Sequence, residues 1–274
     1  MTIEPLVITS LQNPRIKNLV KLKNRRKRDE QQVILIEGYK AVLSALDNGF
    51  KLDEIYFCPE MYLGENESSL VKRATHGGAQ AFQTTQEVFA KIAYRDRPEG
   101  IIATMQQFER KLDDLTVSEH SIFLVAEAIE KPGNLGTMLR TADAAGADGV
   151  IICDGRTDVY NPNVVRASIG TLFTVPIAIT TTDEFFAWKA KHSVQLVATT
   201  PSAKNMFTDA DLTGKVALAV GTEQVGLPDF WLDKADIKVL IPMYGQADSL
   251  NAAASATLSL YEAVRQRRAK GLLK

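Results

Sequence analysis

A chain of 274 residues with 45% hydrophobic and 24% charged residues is long enough to bury a proper core and to divide into two domains, and its composition excludes fibrous, low-complexity and disulfide-stapled classes. No apolar run of about 18 residues and no N-terminal apolar h-region occurs, so neither membrane spanning nor secretion is expected. The formal net charge of −1 hides an asymmetry, because eight cations (Arg15, Lys17, Lys21, Lys23, Arg25, Arg26, Lys27 and Arg28) lie within fourteen positions that contain no acid.

That basic stretch comes first in chain order. Its apolar positions Ile16, Leu19 and Val20 have helical spacing, which predicts one amphipathic helix over 15–28 that docks one face and offers the other to a polyanion. The same charge run also fits a merely solvated helix face. Strands follow at 33–37, 55–58, 79–83 and 100–105, separated by helices at 39–46, 67–74 and 86–92 that end near Asn48-Gly49 and Gly77-Gly78. This alternation predicts an α/β sandwich over 1–108. Arg95, Asp96 and Arg97 form a charged loop before Pro98.

The polar segment 109–118, ERKLDDLTVS, reads as a linker. Beyond it, over 119–274, apolar runs at 122–127, 150–153, 173–178, 195–199, 216–221 and 237–241 predict strands of a parallel sheet covered on both faces. Cys58 and Cys153 each close an apolar run, so they read as packing residues in a reducing cytoplasm rather than as a disulfide. His76, His120 and His192 are scattered, and no metal site is expected.

Three stretches of the second half carry the chemical signal. NLGTMLRTADAAG, Asn134 to Gly146, follows the first apolar strand and holds one isolated Arg140 among small residues. VALAVGTEQVGL, Val216 to Leu227, breaks from a buried strand into Gly221, Glu223 and Gly226. IPMYGQADSLNAAASATLSLYEAVRQR, Ile241 to Arg267, runs from a strand end through Ser249 and Asn251, where a helix N-cap is expected, into a small-residue helix. All three lie at carboxyl ends of predicted parallel strands, where ligands of such sheets bind. Ile241, Met243 and Leu250 can wall a slot for a flat base. A dinucleotide site is disfavoured, since no G-x-G-x-x-G follows the first strand of either domain.

In order, these stretches resemble the three motifs of the SpoU (TrmH) family of RNA ribose methyltransferases, of the SPOUT class, over 119–267. SLQNPRIKNLVKLKNRRKR followed by VILIEGYKAVLSAL resembles that family's N-terminal substrate-binding domain. The resemblance implies a ribosomal-protein-like α/β sandwich that presents RNA, joined to a parallel-sheet domain with a deep trefoil knot. It implies S-adenosyl-L-methionine as cofactor, contacted at Gly221, Ile241 and Leu250, with Met243 added from the apolar slot. The family's catalytic positions fall on Asn134, Arg140, Glu223, Ser249 and Asn251. Thr222 and Ala252 to Ala254 depart from the commoner residues there.

The resemblance further implies a homodimer paired through the C-terminal helix, where Leu258, Leu260, Tyr261 and Val264 exceed one apolar stripe. RNA is the expected partner, ribosomal rather than transfer RNA because of the separate N-terminal domain. Two alternatives stay open: an RNA-binding assembly factor with a vestigial methyltransferase fold, and a base-methylating enzyme of the same class. Arg140 reads either as a group acting on the ribose hydroxyl or as half of a structural ion pair with Glu127, Glu223 or Asp143. Because six residues turn a helix by about 600°, Arg140 and Asn134 share a task only if Asn134 precedes the helix as its N-cap.

Overall fold

The strands of the first half are β1 (Leu6–Ile8), β2 (Val33–Glu37), β3 (Glu54–Phe57), β4 (Gln80–Thr84) and β5 (Ile101–Gln106). They form a sheet in the order β1-β4-β3-β5-β2, with β5 antiparallel to both neighbours and β4 parallel to both of its own. The computed structural model describes residues 5–108 and 111–272. Strand β1 was not expected: it has three residues, and Leu6 and Val7 are exposed, so neither length nor alternation announces it.

The basic stretch folds as two helices, Pro14–Lys21 and Arg25–Gln31, where one was expected. Each has its own asparagine N-cap: Asn13 Oδ1 accepts from Arg15 N and Asn24 Oδ1 from Arg26 N, both at 2.9 Å. Between them Leu22 turns into the core beside Ile16 and Leu19. The second helix runs on to Asp29 and Glu30, which pair back onto Arg25, Arg26 and Lys27.

The chain divides into two units, Met1–Phe108 with Asp158–Thr174, and Glu109–Thr157 with Val175–Lys274. A boundary read as one break in sequence misses the return of 158–174 to the first unit. Two contacts hold that segment there. Arg28 pairs with Asp158 while donating to the carbonyls of Leu22 (2.8 Å) and Lys23 (3.0 Å), and Ser44 Oγ donates to Gly170 O at 2.8 Å. Gly170 has φ +94°, and a Cβ there would lie 2.6 Å from Ser44 Cβ, so glycine is required.

The second unit holds β6 (Ile122–Glu127), β7 (Gly149–Cys153), β8 (Ile177–Thr180), β9 (Gln195–Thr199), β10 (Asn205–Met206), β11 (Val216–Val220) and β12 (Ile237–Leu240). Every pairing is parallel, in the order β10-β12-β9-β11-β6-β7-β8. As the continuous apolar runs predicted, all residues of β6, β7 and β11 are buried. The strand expected at 173–178 begins only at Ile177, because Thr171–Phe173 is a 3-10 turn of the other unit and Pro176 has no N–H for a ladder. Of the expected linker, Glu109 and Arg110 lie outside the described residues, whereas Leu112 and Leu115 are buried with Phe185 and Trp188 in this unit's core. Here the pattern was too short to betray two inward leucines.

From β6 the chain passes through the helix Pro132–Ala144 to β7 and β8 on one side, then crosses to β9, β11 and β12 on the other. The carboxyl ends of the neighbours β6 and β11 therefore flank the point where the winding reverses, the place where open parallel sheets hold ligands. The C-terminal helix Ala252–Ala269 packs against Pro132–Ala144, with Thr141 Oγ1 and Thr257 Oγ1 3.1 Å apart.

Candidate active site

Strand β11 ends at Val220, and the chain then closes a tight loop in which Thr222 and Gly226 exchange two backbone hydrogen bonds of 3.1 Å. Gly226 has φ +70°, and a Cβ on Gly221 would stand 2.2 Å from the Gly226 carbonyl. Both glycines of the second motif are thus demanded by the loop itself. The loop projects Glu223 beside the end of β6.

The third motif supplies the opposite wall. After β12, residues 241–251 carry Ile241, Met243, Ser249 and Leu250 along a cleft that Thr199, Val220, Gly221, Glu223, Ala252 and Ser255 also line. Asn251 then caps the C-terminal helix, its Oδ1 accepting from Ala253 N at 2.9 Å and Ala254 N at 3.4 Å. The free end of the same amide donates from Nδ2 to Glu223 Oε1 at 2.8 Å and to Asn134 Oδ1 at 3.1 Å.

Asn134 completes the junction by donating from Nδ2 to Glu223 Oε1, while Lys131 pairs with Oε2. Residues 117 positions apart in sequence thus meet at one carboxylate. The Lys131 ammonium, then the Asn134 amide, hold the Glu223 carboxyl below the usual carboxylate range, so it is an anion at neutral pH. Asn134 occupies the first turn of its helix and Lys131 is the N-cap residue, which corrects the expected N-cap role of Asn134. The helix geometry accordingly points Arg140 elsewhere. Arg140 is exposed, and among the described residues no hydrogen bond or ion pair joins it to Glu127 or Glu223.

Of the predicted set, the structure brings Asn134, Glu223 and Asn251 into direct contact and places Gly221, Ile241, Met243, Ser249 and Leu250 around the adjoining cleft. Sequence reasoning missed Lys131, whose only signal was a cation beside the first motif. It read Glu127 only as a strand end and as one candidate ion-pair partner of Arg140. That carboxyl, 4% exposed at the end of β6, is pushed up to about 7 by burial and by the neighbouring Asp154 charge. No group of metal-ligating residues occurs among the described residues.

The basic set of the first unit is disposed unevenly. Arg28 is 1% exposed and paired internally, so it leaves the expected RNA-facing set. Lys23 donates to Ala93 O at 2.6 Å and Lys91 O at 3.1 Å. Arg15 pairs with Glu54 and lies over the Phe82 ring at 4.6 Å. Lys17 and Lys21 are exposed and make no ion pair among the described residues.

An all-parallel sheet with a polar junction and apolar cleft at its switch point defines a ligand-binding α/β domain, and the comparisons give its family. Residues 121–261 match the SpoU rRNA Methylase family and residues 13–103 the MRM3-like substrate binding domain. The chain belongs to the SpoU rRNA methylase family. It is 29% identical to the 23S rRNA (guanosine(2553)-2'-O)-methyltransferase RlmP of Bacillus subtilis, over 93% of this chain and 97% of that one. It is 32% identical to the 23S rRNA (uridine(2479)-2'-O)-methyltransferase of Streptomyces viridochromogenes, over 90% and 87%. The crystal structure of an AdoMet-bound rRNA methyltransferase from Sinorhizobium meliloti superposes with a TM-score of 0.87 at 33% identity, covering 98% of each chain.

Proposed function

We propose that this chain transfers the methyl group of S-adenosyl-L-methionine to a ribose 2'-hydroxyl of ribosomal RNA, in the cytoplasm and as a homodimer. The observation that carries the reading is the convergence of Asn134, Glu223 and Asn251, one from each motif, at the mouth of the apolar cleft. A scaffold that had lost its reaction would have no need to keep three separated polar side chains in mutual contact.

The cleft suits the cofactor. Ile241, Met243 and Leu250 offer apolar walls, and Ala252 and Ser255 leave room beside the loop that closes at Gly221. When bound there, the cofactor supplies an electrophilic methyl on a sulfonium. The protein's task is then to align the acceptor oxygen and exclude water, for which fixed amides are better suited than mobile ones. The Glu223 carboxylate fixes those of Asn134 and Asn251. Ser249 stands exposed on the cleft wall, where its hydroxyl can meet the ribose. The loops 221–226 and 241–251 are those that a trefoil knot would tie.

A guanidinium is a poor base, so the task of Arg140 is to polarise the hydroxyl. It lies on an exposed helix face with Thr137 and Ala144, and the C-terminal helix packed against this helix exposes Leu258 (39%) and Tyr261 (46%). A second copy docked on that face would bury on the order of 1,600 Å² and present Arg140 across the interface. Lys17, Lys21 and Arg25 of the first unit hold RNA phosphates. Mass spectrometry of nucleosides from ribosomal RNA tests the reading. Deleting the gene removes one 2'-O-methylated nucleoside, wild type restores it, and Asn251→Ala restores it at a rate lower by about 10² to 10⁴. A methylation pattern indifferent to the gene would overturn the proposal.

A further inference from the structure

Lys131 is the one charged donor in the junction that no motif contains. Its backbone opens the helix Pro132–Ala144, since its carbonyl accepts from Asn134 N at 3.0 Å and Leu135 N at 3.3 Å. Its side chain runs the other way, to Glu223 Oε2, leaving Oε1 to the two asparagine amides. The two oxygens of one carboxylate are thereby assigned different work. With Oε2 empty, the carboxylate is free to rotate, and Oε1 no longer has a fixed direction from which to hold both amides.

We propose that Lys131 is a positioning residue for methyl transfer, acting through Glu223 and not on the substrate. This rests on the methyltransferase reading above. The Lys131 side chain is 69% exposed and that of Glu223 22%, so the pair sits at the rim, where water competes and removing the ammonium does not threaten the fold. Among the described residues the side chains bonded to the Glu223 carboxylate are Lys131, the N-cap of the helix Pro132–Ala144, Asn134 of its first turn, and Asn251, the N-cap of the C-terminal helix; Asp248 lines the same cleft. Lys131 is the only cation among them. Its loss leaves the carboxylate with neutral hydrogen-bond partners alone, which favours protonation, and a protonated Glu223 would turn one acceptor into a donor facing amide donors.

The test uses Lys131→Met and Lys131→Arg in the full chain. In Lys131→Met the Glu223 carboxyl, followed by ¹³C NMR without RNA, titrates at higher pH than in wild type. Single-turnover methyl transfer falls by about 10 to 10², its acid limb moves to higher pH, and cofactor affinity and the KM for RNA stay unchanged. Lys131→Arg restores both titration and rate. An unchanged Glu223 titration overturns the proposal, and so does a raised KM for RNA with an unmoved pH profile, which would make Lys131 a phosphate contact. Should wild type transfer no methyl to any RNA, the functional reading fails, and the RNA-free titration still decides whether Lys131 governs Glu223.

Discussion

Two basic stretches, 15–28 in the first unit and 265–270 in the second, each send one arginine inside, and each satisfies it differently. Arg28, 1% exposed, meets a carboxylate, Asp158, and two carbonyls. Arg267, 4% exposed, donates to carbonyls, those of Leu212 (3.2 Å), Ser121 (3.2 Å), Gly214 (2.7 Å) and His120, and the charge of Asp148 acts on it as well. A guanidinium spreads five donors in a plane, so backbone turns can coordinate it where an ammonium would leave acceptors unmet. A run of like charge therefore does not reveal which member serves the interior; that depends on whether carbonyls or an acid from a distant segment converge on it.

The largest expected effect separates these two arginines. Arg28→Met strands Asp158, whose side chain is 8% exposed, and should cost about 3–5 kcal/mol, as breaking a buried pair does. Arg267→Lys keeps the charge but reaches fewer carbonyls, at about 1–3 kcal/mol for the acceptors left bare. Denaturant unfolding of both variants checks the order. Equal losses would mean that the carboxylate partner contributes no more than backbone does.

A buried acid sharpens the contrast, because Glu127 forms no ion pair among the described residues, and burial and the Asp154 charge outweigh the pull of Arg156, so it holds its proton. Its carboxyl sits at about 7 in the fold, above the ordinary 4.5. Between those values the folded state binds more protons than the unfolded chain, so this group's contribution to stability falls as pH rises from about 4.5 to about 7. Glu127→Gln keeps the shape without the charge. Its melting temperature should match wild type at the acid end of that window and exceed it above the alkaline end; a constant offset at every pH would refute the assignment.

Against these cases one can see what was legible beforehand. The parallel sheet was, because β6, β7 and β11 are buried on both faces and carry unbroken apolar runs. So were Gly221, whose loop needs close backbone approach, and Asn251, read at a helix N-cap, whereas Glu223 was legible only through the resemblance to the SpoU motifs. The return of 158–174 to the first unit was not, since it hangs on Arg28 finding Asp158 and Ser44 finding Gly170, pairings between positions more than 120 apart. Lys131 was equally hidden, because one exposed lysine looks like any other until its acceptor is placed.

The smallest effect concerns the cations that stay outside. Lys17 and Lys21 lie on one helix, Pro14–Lys21, four residues apart and so on the same face, turned away from the buried Ile16 and Leu19. Neither has an ion-pair partner among the described residues, whereas Arg26 and Lys27 share Glu30 at 2.8 and 2.6 Å. Replacing both lysines by alanine should leave stability within about 0.5 kcal/mol, the reverse of Arg28→Met. Every phosphate that goes unneutralised should flatten the salt dependence of RNA binding by about one unit of slope, so the double variant should bind with a slope shallower by about two. Arg26→Ala frees Glu30 to meet Lys27 alone and should change the slope less than either lysine does. Binding titrations from low to moderate salt compare the double variant and Arg26→Ala with the wild type. If the double variant bound RNA with an undiminished slope, the exposed half of the basic stretch would be solvated surface, and its resemblance to a polyanion site would be as misleading as that of the buried Arg28.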